Sequence, residues 1–276
     1  YLVLAQSLCQ EKFLCNKYKC FAHCPARLAI GKPQHFLFPM SLDFYQDRPH
    51  ACSYLEDRQA RNIYPDPMRP LTNALYSQLI QHGFRRSGEH VYRPFCQSCN
   101  ACVPVRISVN HFRPNRSQRR CLKKNDDVSL SIRPAVFDDE HYDLYQRYLA
   151  HRHAGGGMDN PSKDTYLQFL TSSWSDTAFI EFRTPEKLLA VAITDFVNDA
   201  ASAFYTFFDP EYSDRSLGTF AILKQIELAQ QQNLSWLYLG YWIGDSPKMR
   251  YKSHFSALQQ FDGQWREFDK KALNNQ

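Results

Sequence analysis

At 276 residues, with 43% hydrophobic and 22% charged residues, the chain is long enough for one large or two ordinary domains with real cores, and its composition excludes a disordered protein. The formal net charge of +5 is modest, so a polyanion partner is implied only where positive residues cluster. Nine cysteines is an odd count, there is no basic leader with a small-residue cleavage site, and no run approaches about 18 apolar residues, so a disulfide framework and a membrane span are not expected and a cytoplasmic location is.

Residues 1–39 read apart from the rest. The chain opens on Tyr1, and Cys9, Cys15, Cys20 and Cys24 fall at irregular gaps among Lys12, Lys17 and Lys19. An extension preceding a start at Met40 is expected, with a small zinc knot as the alternative. Pro65, Pro67 and Pro70 then punctuate the chain before Leu71, Leu75, Leu79 and Ile80 recur at helical spacing up to Gly83, a helix terminator. Phe84 to Arg93 predicts a turn into a strand, and Val103 to Val109 alternates as an edge strand should, with Pro104 in it.

Between those strands Cys96, Cys99 and Cys102 recur every three residues on a loop. Two-residue gaps let sulfurs converge on one centre, and tetrahedral zinc or an iron-sulfur cluster normally takes four protein ligands, so Cys52 is the expected fourth. A redox thiol set and merely packed free cysteines are the other readings of this spacing. The densest positive run follows, from Arg113 to Lys124. Its Arg116, Arg119, Arg120, Lys123 and Lys124 are candidate contacts to a phosphate backbone, unless the run is a solvated helix face.

In the second half, Asp138 to His153 has the caps and spacing of a helix, with Tyr142, Tyr145 and Leu149 on one face; a Gly155-Gly156-Gly157 loop follows, and Ser162 to Leu170 resumes helix. Ala178 to Phe182, Leu188 to Val197 and Ser202 to Phe208 predict a meander of three strands. Asp209-Pro210 ends the third. Ser213, Asp214 and Ser216 offer caps to a helix over residues 217–232 whose Phe220, Leu223, Ile226 and Ala229 are core candidates, and Trp236 to Ile243 is a buried strand.

The expected fold class is α/β (α+β): an N-terminal cysteine-containing domain with its basic segment over residues 40–132, then an acyltransferase-like domain with a mixed sheet over residues 133–276. Three strands, a capped helix and another strand form the order of a Gcn5-related acyltransferase core, in which the first amides of the helix face a phosphate of the donor. Enzymes of that core that use acetyl-coenzyme A carry small residues at the helix start. Arg215-Ser216-Leu217-Gly218-Thr219-Phe220 places a bulky ring at the last of these positions, which weighs against coenzyme A.

Several motifs run from about Phe44 almost to the C-terminus: Cys52-Ser53-Tyr54-Leu55, Gly83-Phe84-Arg85-Arg86-Ser87-Gly88, Tyr92-Arg93-Pro94, Cys96 to Cys102, Tyr205, Phe208-Asp209-Pro210, Ser216-Leu217-Gly218, Leu239-Gly240-Tyr241-Trp242-Ile243 and Lys248-Met249-Arg250-Tyr251-Lys252. In these the chain resembles the aminoacyl-tRNA:protein transferase family, which includes the arginyltransferases, and most closely its bacterial leucyl-transferring branch. The eukaryotic arginyl branch has Cys-x-x-Cys followed later by adjacent cysteines. Here Leu55 replaces the second cysteine, which favours the leucyl branch and speaks against carrying the other branch's cluster over directly.

The resemblance implies transfer of leucine from leucyl-tRNA to the N-terminal α-amine of proteins that begin with Asp or Glu, marking them for N-degron proteolysis. No cofactor is required for that chemistry, although the cysteines are candidates for zinc or an iron-sulfur cluster, and no membrane is involved. Arginyl-tRNA as donor, acetyl-coenzyme A-dependent N-acetylation and a non-enzymatic zinc RNA-binding module are the alternatives. For aminoacyl transfer, Asp209 or Tyr205 is the candidate proton acceptor, and Arg85 or Arg86 the candidate partner of the acceptor's carboxylate. Ser216 and Gly218 mark the helix start, whereas Tyr241, Tyr251 and Lys252 are candidates to hold the adenosine end of tRNA or the leaving ribose hydroxyl. His82, His90 and His254 read as packed or surface groups.

Overall fold

The computed structural model describes residues 42–152 and 161–269. The expectations for residues 1–39, for a start at Met40 and for the Gly155-Gly156-Gly157 loop lie outside the described residues.

Helix α1, Asn73–Gln81, starts at Thr72, whose hydroxyl accepts the Leu75 amide, and buries Tyr76, Leu79 and Ile80. It stops before Gly83, where φ is +82° and an added Cβ would stand 2.8 Å from Pro104 Cγ, so both backbone and space require glycine. The helix covers a four-stranded sheet built from β1 (Phe44–Gln46), β4 (Asn62–Pro65), β5 (Arg85–Ser87) and β6 (His90–Pro94), in the order β1-β4-β6-β5. A short pair, β2 (His50–Ala51) and β3 (Gln59–Ala60), flanks Cys52.

The larger sheet has eight strands. The predicted meander is there as β9 (Asp176–Arg183), β10 (Leu188–Val197) and β11 (Ala200–Phe208), all antiparallel. Helix α5, Leu217–Gln231, then crosses to β12 (Trp236–Trp242), which lies parallel to β11. A parallel neighbour demands such a crossover. Beyond them lie β7 (Val103–Ser108), β13 (Leu258–Phe261) and β14 (Trp265–Glu267), with β8 (Ser129–Pro134) at the opposite edge, giving the order β14-β13-β7-β12-β11-β10-β9-β8.

Both faces of this sheet are covered, which is why β10 is buried at nine of its ten positions. On one side α5 buries Phe220, Ala221, Ile226 and Ala229 against Phe182, Leu189 and Leu237. On the other, α3 (Asp139–Arg152) and α4 (Lys163–Leu170) pack Leu144, Tyr145, Leu149, Tyr166 and Phe169 on Phe179, Val191, Ile193 and Phe207. Phe220 is 1% exposed, its ring 5.6 Å from that of Phe182. Its bulk therefore fills the core and does not crowd a ligand at the helix start, which corrects the inference drawn from its position in sequence.

The β7 strand is interior, paired with β12 on one side and β13 on the other, rather than at an edge. Pro104 is tolerated because it lies opposite Tyr241, beyond the β13 pairing, and the Tyr241 carbonyl takes its hydrogen bond from Lys252 Nζ at 2.5 Å instead. The division expected at residue 132 falls inside β8, and β7 comes from the N-terminal side of it, so residues before that division supply interior structure to the large sheet.

Strands β11 and β12 pair only through Ala200–Ser202 and Trp236–Tyr238, then separate. Register shifts between Ile193 and Thr194 on the β10 side and between Tyr238 and Gly240 on the β7 side turn the two strands apart, and Gly240 takes φ +80° to do so. The result is a split in the middle of the sheet, open at the C-terminal ends of both strands.

Candidate active site

Arg85, from β5, fills the base of the split. Its Nη2 donates to the Ala203 carbonyl at 3.4 Å on β11. On the opposite strand a Cβ at Gly240 would lie 3.4 Å from Nη2 and 3.5 Å from Nε, so glycine gives the guanidinium its room. The residue is 7% exposed, its Nη1 is buried without a partner, and it has no carboxylate partner among the described residues. Phenols surround it instead: burial pushes Tyr54 up to about 12 and Tyr92 and Tyr241 well above the ordinary range, with Arg85 pulling each of them back. Beneath lies Lys252, buried in the 3-10 helix Arg250–His254, and burial together with the Arg85 charge lowers its ammonium to about 7. Two buried basic groups with no carboxylate paired to either among the described residues leave this end of the split short of negative charge.

Arg86 is placed differently. It is 1% exposed and forms a buried two-point pair with Asp195, Nε to Oδ2 at 2.7 Å and Nη2 to Oδ1 at 2.6 Å, with a further bond from Nη2 to the Leu170 carbonyl. That guanidinium is already neutralised and joins β5 to β10 and to the end of α4, so Arg86 is corrected from substrate contact to structural tie.

The two candidate proton acceptors are also occupied otherwise. Asp209 is fully buried at the end of β11, where it caps the 3-10 helix Pro210–Arg215 through the Glu211 amide and meets Lys187 at 2.8 Å and Arg147 at 3.4 Å. Burial would raise its carboxyl, but Lys187, the Glu211 amide and Arg147 together hold it below the usual range. Tyr205 packs edge-on against Tyr145, Tyr148 and Phe169, and burial lifts its phenol well above the ordinary range. Neither is a ready base near neutral pH. Tyr241 is 4% exposed and donates to the Gly83 carbonyl at 2.9 Å, so it ties the two sheets together rather than meeting a ligand.

On the donor side, α5 begins at Ser216, which stands in the left-handed region at φ +55° and makes no side-chain cap, contrary to its expected role. An added Cβ at Gly218 would meet Phe208 at an ordinary 3.5 Å. Tyr251 lies at the mouth of the split, 39% exposed. The positive run forms helix α2, Arg116–Lys124, with a capping box at Asn115 and Gln118. Gln118 and Cys121 face inward while Arg116, Arg119, Arg120, Lys123 and Lys124 are exposed; Arg119 Nη1 donates to the Pro114 carbonyl at 2.6 Å, and Lys124 is paired with Asp214 at 2.7 Å. Cys121 packs 3.7 Å from the Arg215 and Ser216 carbonyls, so α2 sits beside the start of α5.

Cys52, Cys96, Cys99 and Cys102 are partly buried free thiols. Burial, followed by the charges that Cys52, Cys96 and Cys99 would carry, pushes Cys102 up to about 12, so the four are neighbours as the spacing predicted. They are not arranged as a ligand set. Arg58 Nη1 donates to Cys99 Sγ at 3.5 Å, Cys96 Sγ faces the Arg61 carbonyl at 3.7 Å, and among the described residues no group of three or more His, Cys, Asp or Glu side chains is placed to hold a metal. His82 behaves as the packed group expected, its ring 6.4 Å from that of Phe261 and its charged form disfavoured by burial and Arg93.

Several residues at the split escaped the sequence reading. Tyr148 and Arg152 were not singled out on their helix, and Tyr54, Tyr92 and Gly240 appeared only inside motifs. Gly240 carried the one usable signal, a glycine within a buried strand, which marks a bulge or a close approach.

Residues 50–120 match the family described as Arginine-tRNA-protein transferase, N terminus, and residues 140–262 match Arginine-tRNA-protein transferase, C terminus. These two matches place the chain in the arginine-tRNA-protein transferase family, the aminoacyl-tRNA:protein transferases. Within it the chain is similar to proteins named aspartate/glutamate leucyltransferase: that of Nitrosococcus oceani is 51% identical over 82% of this chain and 95% of its own, and that of Saccharophagus degradans 46% over 82% and 97%. The protein of the same name from Alcanivorax borkumensis is 50% identical over 82% of this chain and 94% of its own.

Proposed function

We propose that this protein transfers leucine from leucyl-tRNA to the N-terminal α-amine of proteins that begin with Asp or Glu, in the cytoplasm and ahead of N-degron proteolysis. The observation that carries this reading is the identity of 46% to 51% to leucyltransferases over 82% of the chain. Arg85 is the group we assign to the acceptor's side-chain carboxylate, because it brings an uncompensated charge and an unpartnered Nη1 to the split. Lys252 adds to the positive field from below, and Ser216 and Gly218 border the donor's side.

The chemistry asks little more of the chain. The α-ammonium first loses a proton; with a pKa near about 8 it does so readily at neutral pH without a strong base. The amine nitrogen then bonds to the ester carbonyl carbon, the bond from that carbon to the ribose oxygen breaks, and the second amine proton ends on the released ribose hydroxyl. Orientation in the split, with water kept out by the surrounding phenols, supplies most of what a side-chain base would otherwise add.

The test compares peptides beginning with Asp, Glu, Asn and Gln, with leucyl-tRNA and arginyl-tRNA at equal concentration. Leucine transfer to Asp and Glu is expected. Asn and Gln should lose about 2–5 kcal/mol, since they leave the buried guanidinium unpaired. Equal rates on Asp and Asn peptides would refute the charged cavity, and preference for arginyl-tRNA would place the protein in the arginyl branch.

A further inference from the structure

The large sheet has a second opening. Trp236 and Tyr238 alternate along β12 with Leu237, which packs under α5, so they face the opposite side of the sheet. There α1, the hairpin between β10 and β11, and the strands β7 and β12 enclose a cavity of about 380 Å³, its open mouth included. Ala200 and Trp236 both line it and are partners where β11 and β12 are still joined. The cavity therefore lies behind the closed end of the split, apart from the place where acyl transfer is read.

Arg106 brings a cation to this cavity and is held there firmly. It stands level with Tyr238 on β12 and Gln259 on β13, and donates from Nη1 to the Tyr238 hydroxyl at 3.3 Å and from Nε to Gln259 Oε1 at 3.0 Å. Two indoles pack on its guanidinium, with Cζ 3.5 Å from the centre of the Trp236 ring and 4.2 Å from that of Trp265. The residue is 9% exposed, and Nη2 has no partner among the described residues. A guanidinium fixed in this way cannot swing out to solvent, so Nη2 is what it offers the cavity.

Asp199 lines the same cavity from the hairpin. Its Oδ1 and its carbonyl share the Ser235 amide, at 3.2 and 3.1 Å, which leaves Oδ2 without a partner among the described residues. The field of this carboxylate reaches Arg106 and offsets part of the cost of burying it, yet the two form no ion pair. An anion alone would be repelled by Asp199 and a cation alone by Arg106, whereas a ligand that carries both charges satisfies each. Beside them Ile80, Val197 and Ala200 are buried and form an apolar wall. Two opposite charges at one end and an apolar remainder describe an α-amino acid zwitterion.

We infer that this cavity binds a free α-amino acid with an apolar side chain, its carboxylate on Arg106 Nη2, its ammonium on Asp199 Oδ2 and its side chain against Ile80, Val197 and Ala200. The site is separate from the split and does not depend on which aminoacyl-tRNA the protein uses.

Titration calorimetry with L-leucine as the probe tests this on wild type, Asp199→Asn, Arg106→Gln and Arg85→Gln, with thermal midpoints confirming that each variant folds. Wild type should bind with a Kd of about 1 mM or tighter. Asp199→Asn and Arg106→Gln should each lose at least about tenfold, because a charge-assisted contact becomes a neutral one, while Arg85→Gln, which alters the split, should bind as wild type does. Two analogues put the same question to the unaltered protein and decide it should Arg106→Gln fail to fold. These are 4-methylpentanoate, which lacks the ammonium, and leucinamide, which lacks the carboxylate; each should bind at least about tenfold more weakly than leucine. Absence of leucine binding up to about 10 mM, or equal affinity for leucine and either analogue, overturns the assignment. So does loss of binding in Arg85→Gln with none in Asp199→Asn, which would put the leucine in the split.

Discussion

Arg85 and Arg86 are consecutive in sequence and opposed in duty, because successive residues of a strand point to opposite faces. Arg86 is committed to Asp195 inside the protein, where breaking a buried pair leaves one charge without compensation. Asp195→Asn is therefore expected to cost about 3–5 kcal/mol, read from urea unfolding midpoints, while Arg85→Gln keeps stability close to wild type and loses transfer to Asp peptides by at least about tenfold. If the two variants exchange these phenotypes, the division of labour is wrong.

Lys252 supplies a pH dependence whose sign can be worked out. Its folded value of about 7 lies below the ordinary lysine value near about 10.4. Between those two values the unfolded chain holds a proton that the folded chain has released, so stability rises with pH across that window; below about 7 the group is charged in both states and the cost of burying it is felt in full. Lys252→Met removes this dependence. The difference in denaturant midpoint between wild type and that variant should shift in favour of wild type from about pH 7 to about pH 9, and a difference that does not move would show that Lys252 does not titrate there.

At the scale of elements, α2 shows how a positive run becomes a surface. Gln118 and Cys121 hold its inner face, so the remaining turns project the cations outward in one direction. Replacing Arg119, Arg120 and Lys123 by glutamine should weaken tRNA binding and flatten the slope of log affinity against log salt by up to about 0.9 for each phosphate that is no longer neutralised. Lys124→Gln should do less, since Asp214 already engages that ammonium. An unchanged slope in the triple variant would return α2 to a solvated face.

For the whole molecule, the large sheet is completed by strands from distant parts of the chain. A fragment of residues 133–276 would lack β7, leaving β12 and β13 without the strand between them and the apolar side chains of Val105 and Ile107 missing from the core. Such a fragment is expected to show no cooperative thermal transition by circular dichroism. A sharp melt would mean that β12 and β13 can close on each other, and that the second half folds alone.

What the sequence determined by itself was local. The spacing of Leu75, Leu79 and Ile80 marked α1, the apolar runs marked the meander and β12, Asn115 and Gln118 set the start of α2, and the motifs around Cys96 to Cys102 and Leu239 to Ile243 carried the family. Each of these depends on a few neighbouring residues and the fixed periods of helix and strand. The tertiary structure alone decided that the Pro104 strand is interior, that Phe220 turns into the core, and that Arg86 and Asp209 are already paired. Those facts depend on strand register, on the two bulges that part β11 from β12 and on charges brought together from more than a hundred residues apart, none of which leaves a periodic mark in the chain.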